Sequence, residues 1–363
     1  MRLVELIATM ETIAPTRFAE GWDNVGLLVG DRSQTIARAM LTIDYTSAVS
    51  REAQDAGCDA IIAYHPPIFS PLKRIDAGGL IHDAIRRGVA IYSPHTALDV
   101  ADGGTNDVLC DVLELKQRLP LRPAPRTPNQ YKLVTFVPAE QLDAVSAALF
   151  DAGAGQIGRY SSCSFRSSGT GTFFGEAGTN PVIGQSGRLE TAQEIKLETV
   201  IPIDKAGDVI RALRAVHPYE EPAFDLIMVA APPQLAGQGR IGNFDKPVAR
   251  ETLLERIKRG LGLEHLLVAG PTTGLIQRAT VCAGSCGEML SDAIAAGAQF
   301  HLTGEMRHHD ALRAAEAGVT VVCTLHSNSE RIALTGLKAR LEQALPGLPC
   351  LLSQADRDPF SVR

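Results

Sequence analysis

The segment from Ile61 to Phe69, IIAYHPPIF, constrains the fold most, because an apolar run ends there abruptly in polar and proline residues. Asp59–Ala63 is short and rich in apolar and β-branched residues, which is typical of a buried strand. Pro66 cannot donate a backbone hydrogen bond and keeps His65 extended, so the strand must end there. The sequence therefore predicts that the His65 imidazole lies at the end of a strand, where open α/β sheets bind ligands.

Strands and helices alternate in both terminal parts of the chain. The predicted elements before the middle are the strands Ala39–Asp44, Asp59–Ala63 and Val89–Ser93 and the helices Ser47–Ala56 and Gly79–Arg87. After Gly242 the same alternation resumes and ends in a long helix from about Ser327 to Leu345. We therefore predict the α/β fold class, with residues 1–125 and 236–363 forming one discontinuous domain around one open sheet.

The middle of the chain has a different pattern. The segments VPAEQLDAVSAAL and IPIDKAGDVIRAL are two copies of one strand-to-helix unit, which predicts an inserted ferredoxin-like α+β domain over residues 130–232. We expect His217 to hold a structural turn in this domain. The surrounding prolines predict linkers at both junctions: Pro120, Pro123, Pro125 and Pro128 from Leu119 onward, and Pro232-Pro233.

Composition narrows the class of protein. A formal net charge of -6 without a basic stripe argues against nucleic-acid binding by bulk electrostatics. Glu5 and Glu11 interrupt the apolar residues at the start of the chain, unlike a secretory signal, and no apolar run has the length of a membrane span. The seven cysteines lack paired spacing, so we expect reduced thiols and a cytoplasmic protein.

Ligand-capable side chains follow several of the predicted strands. If the strands form one open sheet, these side chains meet at a common edge, and a mixed set of imidazoles and carboxylates favours borderline divalent metals. A bridging carboxylate can hold two ions about 3.5 to 4 Å apart. The groups are Tyr64 with His65, His95 with Asp99, Glu305 with His308 and His309, and His326 with Glu330.

Each of these residues also has an ordinary structural interpretation. His65 could be a half-buried histidine, and His95, after a proline, could simply fix its loop. Ser327 to Glu330 matches a capping box, in which Glu330 would cap a helix through the backbone N–H of Ser327. The adjacent His308 and His309 could be surface groups or could orient ligands without binding metal.

Five motifs together resemble one known family. They are WDNVGLLVGD, YHPPIF, SPHTALDVADGGTND, LTGEMRHHD and LHSNSER, spread in this order over nearly the whole chain outside the insertion. This combination is similar to the Nif-three-like dinuclear metal-centre family, also called GTP cyclohydrolase 1 type 2 homologs. The insertion, ending in HPYEEPAFDL, resembles the PII/CutA-like module of its longer members.

The resemblance implies two divalent metal ions, such as Zn, Fe or Mn. Their ligands would be His65, Asp99, His326 and Glu330, with Glu330 bridging. It also implies a homo-oligomer, commonly a toroidal hexamer.

Tyr64 departs from the two adjacent histidines of the most familiar members. A phenol with a pKa near 10 is a poor ligand at pH 7, so the two sites should be unequal. We expect the ion of His65, Asp99 and Glu330 to be retained. The ion of His326 and Glu330 should be weaker, completed by water or by a donor from Glu305–His309; Tyr64, His95, His308 and His309 are weaker ligand candidates.

These observations support a metal-dependent hydrolase that acts through a metal-activated water on an unknown small, nucleotide-like substrate. Glu305 or His95 would handle protons. The chain has no phosphate-binding G-x-x-x-x-G-K-S/T loop, so GTP ring opening has little support from the sequence. The alternative is a non-catalytic metal carrier, or a regulatory scaffold that senses a small-molecule ligand or a partner through its PII-like domain.

Overall fold

A computed structural model describes residues 1–124, 130–229 and 235–361 of the chain. Contacts divide the chain into two compact units, Met1–Ala124 with Gln234–Arg363 and Pro125–Pro233. That each unit folds by itself stays a prediction. None of the described helices combines the length and the apolar character needed to cross a membrane.

The first part of the chain alternates strands and helices as its sequence pattern predicts. Local signals set several boundaries: the Thr46 hydroxyl accepts a hydrogen bond from the Val49 N–H at the start of one helix, and Gly88 ends another at φ 67°. The elements are α1 (Leu3–Ile13), β1 (Gly26–Val29), β2 (Ala39–Thr42), α2 (Ser47–Asp55), β3 (Ala60–Ala63), α3 (Leu80–Arg87), β4 (Ala90–Ser93), α4 (His95–Val100), α5 (Thr105–Leu113) and β5 (Lys116–Pro123).

The second unit has the β-α-β-β-α-β order that the doubled sequence unit predicts. Its elements are β6 (Gln130–Val137), α6 (Leu142–Asp151), β7 (Ser164–Phe174), β8 (Leu189–Pro202), α7 (Ala206–Val216) and β9 (Phe224–Met228). The strands form an antiparallel sheet in the order β7-β8-β6-β9, which is the ferredoxin-like arrangement. His217 has the expected structural role: its Nε2 lies 3.0 Å from the Phe136 carbonyl, and its Nδ1 accepts from the Tyr219 N–H.

The last part of the chain returns to the first unit. Its elements are β10 (Gly237–Ala249), α8 (Arg250–Leu261), β11 (Leu267–Ala269), β12 (Leu275–Ser285), α9 (Met289–Ala295), β13 (Phe300–Glu305), α10 (His308–Glu316), β14 (Thr320–Cys323), α11 (His326–Ala344) and β15 (Cys350–Leu352). The long strand β10 and the short strands β11 and β15 are not apparent from the periodicity of the sequence.

The strands of the first unit form two sheets, so the expectation of one open sheet is wrong. One sheet has the order β1-β4-β3-β2-β15, and the other has the order β11-β14-β13-β12-β10-β5. In the first sheet the parallel strands β15-β2-β3-β4 carry one antiparallel strand, β1, at the β4 margin. In the second sheet the parallel strands β12-β13-β14 carry antiparallel strands at both margins. The unit therefore has two sets of parallel strand ends from which a site can be built.

Helix α11 connects the two sheets. It contacts β2 and β15 of one sheet and β12 and β13 of the other. Leu334, Leu337 and Leu341 pack in the core of the first sheet, and Ile332 packs against the core of the second. Because apolar contacts fix this helix on both sides, the residues in its first turn are held rigidly between the two sets of strand ends.

The first linker prediction is wrong where it falls on described residues. Pro120 and Pro123 lie in β5, which pairs with Arg240 and Gly237 of β10. A proline removes one ladder hydrogen bond, but β5 is the edge strand of its sheet, where this loss is tolerated. The remaining linker residues, Pro125, Pro128 and Pro232-Pro233, lie outside the described residues.

Candidate metal centre

Three polar side chains leave the first sheet at the same edge. Strands β2, β3 and β4 are parallel neighbours, so their carboxyl ends lie side by side. Asp44 follows β2, His65 follows β3, and His95 opens α4 directly after β4. The end of β3 at Ala63, shortly before Pro66, thus places His65 between a carboxylate on one side and a second imidazole on the other.

The second sheet and α11 supply the facing side chains. Glu305 ends β13, and His326 begins α11 shortly after β14. His326 and Glu330 are four residues apart on this helix and therefore lie on the same face. The helix begins after Leu325, which has φ 70°, a conformation that non-glycine residues seldom adopt. This turn of the backbone directs His326 toward the end of β3.

His65, His326 and Glu330 form the tightest cluster of potential ligands. One carboxylate oxygen of Glu330 lies 3.1 Å from His65 Nε2, and the other lies 3.3 Å from His326 Nε2. One donor atom from each residue falls within 4.8 Å of the other two, and Glu330 is buried. Two imidazole nitrogens and a carboxylate facing a common point make a suitable ligand set for a divalent ion.

Each imidazole is oriented by a second carboxylate on its opposite nitrogen. His65 Nδ1 lies 2.9 Å from Asp44 Oδ1, and His326 Nδ1 lies 3.3 Å from Glu305 Oε2. When the neutral imidazole keeps its proton on Nδ1, the Nε2 lone pair is directed into the cluster and can bind an ion. Metal-binding histidines are commonly held in this way by a carboxylate, which fixes the tautomer and increases ligand basicity.

Two observations test whether the cluster suits a cation. The buried atoms His65 Nε2 and Glu330 Oε2 are close but not aligned as a hydrogen bond, and neither has another hydrogen-bond partner. Gly284 at the end of β12 borders the same space, and a Cβ there would stand 2.9 Å from Glu330 Oε1 and 3.5 Å from His326 Nε2. Unpaired buried polar atoms beside a glycine-lined space fit a bound ion.

The electrostatics of the cluster are those of a cation site. Burial opposes the charged imidazolium, but Asp44 and Glu330 outweigh it and raise the pKa of His65 to about 10. Glu330 is the largest cause at His326, where it raises the pKa to about 9 against burial. Burial would raise the pKa of Glu330, yet His326 and His65 lower it. Without metal, two protons therefore supply the positive charge that this carboxylate requires.

Tyr64 and Asp99 form a separate pair next to this cluster. The fully buried Tyr64 hydroxyl donates a hydrogen bond to Asp99 and lies 2.9 Å from Thr105 Oγ1. Burial and the nearby Glu330 raise the pKa of Asp99 to about 6, and burial also raises the pKa of Tyr64 well above its usual value. The phenol is thus a neutral donor that already occupies the Asp99 carboxylate.

The sequence led us to expect one ion on His65, Asp99 and Glu330, but the structure groups these residues differently. It places His65 with His326 and Glu330, whereas Asp99 is paired with Tyr64. The reason is the order of the two side chains after β3, since successive residues of an extended chain point to opposite faces. That Asp99 binds a metal stays a prediction.

The remaining candidates also have defined positions. His308 and His309 are exposed at the start of α10, stack on each other with ring centroids 5.3 Å apart, and are not part of the cluster. The capping-box interpretation of Glu330 is wrong, because α11 begins at His326 and the Glu330 carboxylate faces two imidazoles. Ser327 instead donates to Asp358 at 2.7 Å.

His95 borders the cluster without joining it. Its ring centroid lies 5.3 Å from that of His65 and 6.0 Å from that of Tyr64. Its Nδ1 lies 2.8 Å from Asp23 Oδ1, and the Asp23 side chain is fully buried. Burial works against ionisation of Asp23, but His95 and Thr96 lower its pKa. His95 has φ 27°, and such strain is typical of functional positions.

Sequence reasoning missed three residues of this region: Asp44, Asp23 and Gly284. Asp44 carried a usable signal, because it directly follows an apolar strand, as His65 does. Asp23 belongs to the WDNVG motif, but nothing in the sequence links it to a histidine 72 residues away. The role of Gly284 depends on the packing of α11 against β12 and has no local signal.

Comparisons with known proteins agree with the fold and the motifs. The model of the Duf34/NIF3 (NGG1p interacting factor 3) family matches residues 1–359. Proteins named "GTP cyclohydrolase 1 type 2 homolog" from Halalkalibacterium halodurans and Bacillus subtilis are 36% and 35% identical, each over 98% of this chain and 97% of the relative.

Solved structures give the same result. The Staphylococcus aureus protein SA1388 superimposes with a TM-score of 0.85 at 28% identity, and a Bacillus cereus protein related to NIF3 with 0.78 at 32%. Both comparisons cover 100% of this chain and 99% of the other. The expected resemblance is therefore confirmed, and this chain belongs to the DUF34/NIF3 family.

Proposed function

We propose that this protein is a metal-dependent hydrolase of small molecules whose principal ion binds to His65, His326 and Glu330. The observation that carries the proposal is the pair of buried, unpaired atoms, His65 Nε2 and Glu330 Oε2, facing the same point as His326 Nε2. A bound divalent ion would polarise a substrate carbonyl or phosphoryl oxygen and lower the pKa of a water molecule. The two sheets and α11 keep the ligands in position before an ion arrives.

His95 is the better of the two expected proton-transfer groups. Its Nδ1 faces the buried Asp23 carboxylate, so its Nε2 remains available beside the cluster, as in histidine–carboxylate pairs that move protons. Glu305 is instead engaged with His326 Nδ1 and holds a ligand in place. In this proposal His95 takes a proton from the attacking water and returns it to the leaving group.

A turnover screen tests the proposed activity. The protein would be loaded separately with Zn, Mn and Fe and assayed on phosphoesters, nucleotides including GTP, and cyclic amides. Hydrolysis should depend on metal and should fall by about 10²–10⁴-fold in His95→Asn, since asparagine tolerates a positive φ but cannot transfer protons. His308→Asn is the matched control, because His308 is exposed and outside the cluster.

The same screen distinguishes the alternative function. Tight metal binding with no turnover of any substrate would indicate a carrier or a regulatory scaffold. Turnover equal in wild type and His95→Asn would retain the hydrolase and remove His95 from its mechanism.

The oligomeric state is part of the same proposal. By family resemblance we expect a toroidal homohexamer, with the second unit available to bind a small molecule. Light scattering coupled to size-exclusion chromatography measures the assembly mass, and a monomer across a range of concentrations would contradict the expectation.

A further inference from the structure

Two exposed aromatic side chains lie beside the metal cluster and have no role in the proposed chemistry. Trp22 is 61% exposed and Phe69 is 54% exposed, and their ring centroids are 5.9 Å apart at an interplanar angle of 53°. Both belong to motifs that mark the family resemblance, WDNVGLLVGD and YHPPIF. We call this pair the aromatic shelf.

The residues next to the shelf are firmly anchored. The Asp23 carboxylate, which is fully buried, contacts His95 Nδ1 at 2.8 Å and accepts from the Thr96 N–H at 3.2 Å. Asn24 donates from its side chain to the Ile68 carbonyl at 2.5 Å, which ties the Trp22 loop to the Phe69 loop. Hydrogen bonds therefore hold the two segments that carry the aromatic residues while both rings stay exposed, a preorganised arrangement that costs little further entropy on binding.

Successive rings connect the shelf to the metal cluster. The Trp22 ring centroid lies 6.1 Å from that of His95, at 74° between the planes, and the His95 centroid lies 5.3 Å from that of His65. His65 in turn stands 5.4 Å from His326. A small molecule whose ring contacts the shelf could therefore extend past His95, the proposed proton-transfer residue, to the metal ligands His65 and His326.

We propose that the aromatic shelf binds a flat aromatic or heteroaromatic ring of the substrate, whose hydrolysable group then extends past His95 to the metal cluster. The inference rests on the proposed function and adds the substrate class to it. Indole and phenyl faces stack on planar rings with little preference for ring identity. Aromatic surface beside a few fixed polar groups is the usual composition of a small-molecule site.

A protein partner fits these observations less well. Stable protein interfaces bury more than about 1,000 Å² in total, whereas the shelf consists of two side chains next to a polar, partly buried cluster. The test below also detects the other occupant, a second copy of this chain that covers the shelf.

The test uses the fluorescence of Trp22, which is the only tryptophan in the chain. The full-length protein would be titrated with guanosine, adenosine and benzoate as ring probes and with ribose as the ring-free control. We expect saturable quenching by at least one ring probe and none by ribose. Binding should weaken at least tenfold in Phe69→Ala and remain unchanged in Phe165→Ala, the matched control at an exposed phenylalanine of the second unit.

Calorimetry with Trp22 variants provides an independent measurement. Trp22→Phe should retain most of the affinity for the bound probe, because a stacking face remains, and Trp22→Ala should lose it. Non-saturating quenching by every ring probe would overturn the proposal. So would a fluorescence change that follows protein concentration alone, since that would show a second copy on the shelf.

Failure of the shelf and failure of the hydrolase are separable. Probe binding requires neither turnover nor metal, so its absence leaves the metal chemistry unaffected. Equally, the shelf would stand if the protein bound a ring probe but hydrolysed nothing in the screen.

Discussion

Two groups of side chains near Glu330, the His65–His326 side and the Tyr64–Asp99 side, differ in how their polar atoms are satisfied. On one side, His65 and His326 point their Nε2 atoms at the Glu330 carboxylate, and each has a second carboxylate beside its Nδ1. On the other side, the Tyr64 hydroxyl already donates to Asp99. One side is ready to accept a cation, whereas the other is satisfied without one. We therefore propose that Tyr64, the residue directly after strand β3, limits tight metal binding to the side of His65 and His326.

The largest effect should come from removing the charge that both sides share. Glu330→Gln keeps the shape of the side chain but removes the anionic ligand, so affinity for Zn should fall by more than about a hundredfold. Isothermal titration calorimetry measures this change, and Glu316→Gln on the exposed face of α10 is the control. Unaltered affinity with lower thermal stability would mean that Glu330 has only a structural role.

Acid should weaken metal binding steeply. The pKa of His65 is about 10 and that of His326 about 9 in the metal-free protein, so both are protonated at pH 7 and must release their protons to an incoming ion. Affinity should therefore drop about a hundredfold per pH unit below about 9. Calorimetry at pH 7 in buffers of different ionisation enthalpy should count two released protons per ion. Release of none would contradict the protonated cluster.

The same groups set a pH dependence of stability in the metal-free protein. Because folding raises both pKa values, their stabilising contribution is complete below the unfolded value of about 6.5 and is lost as pH rises through 9 to 10. The free energy of unfolding should decrease by more than about 1 kcal/mol between pH 7 and pH 10. Denaturant titrations at both pH values check this, with Glu330→Gln expected to show a smaller decrease.

A smaller decrease in metal affinity should follow when the His65 imidazole loses the carboxylate that orients it. Asp44→Asn removes the carboxylate behind His65 while keeping a group that can contact Nδ1, so metal affinity should fall about 10- to 100-fold. Asp55→Asn, at an exposed position of α2, should leave affinity unchanged. Equal affinity in wild type and Asp44→Asn would show that the backing carboxylate does not matter.

Substitutions of Tyr64 test whether the Tyr64–Asp99 side can bind a second ion. Tyr64→His replaces the donor to Asp99 with an imidazole and should raise the number of retained ions from one toward two per chain. Tyr64→Phe should leave one ion but cost about 1–3 kcal/mol of stability, because the Asp99 carboxylate loses the hydrogen bond from the buried Tyr64 hydroxyl. Metal content after dialysis against a weak chelator is the measurement. Two firmly held ions in the wild type would show that the two sides do not differ in metal affinity.

The smallest effect should come from the second unit. Replacing it with a short Gly/Ser bridge should leave a soluble protein with unchanged affinity for the metal, because all cluster residues belong to the first unit. A remainder that fails to fold would show that the insertion is structurally required.

Sequence patterns predicted the parts of the fold that depend on local signals. The parallel strands around His65, the doubled unit of the insertion and the start of α11 all follow from periodicity and from breaking residues. The sequence did not reveal that the first unit has two sheets. Strands β5 and β10 of the second sheet contain proline, glycine and charged residues, which obscure their strand character. Tertiary pairing overrides weak local preference in such segments.

The candidate site was predicted in its members but not in its grouping. His65, His326 and Glu330 were recognised as ligand types at strand and helix ends. Which imidazole faces which carboxylate depends on side-chain direction and on the contact between the two sheets through α11. Neither is encoded in spacing along the chain, so the backing role of Asp44 appeared only in the structure.

The most direct test of the metal centre is a crystal structure of the protein grown with Zn, with anomalous diffraction recorded on both sides of the Zn absorption edge. We expect one strong anomalous peak about 2.0–2.2 Å from His65 Nε2, His326 Nε2 and a carboxylate oxygen of Glu330. Any second peak, near Asp99, should be weaker, and the Tyr64 hydroxyl should still donate to that carboxylate. A principal peak bound to Asp99 and Tyr64, or the absence of any peak at Glu330, would show that His65, His326 and Glu330 are not the principal metal ligands.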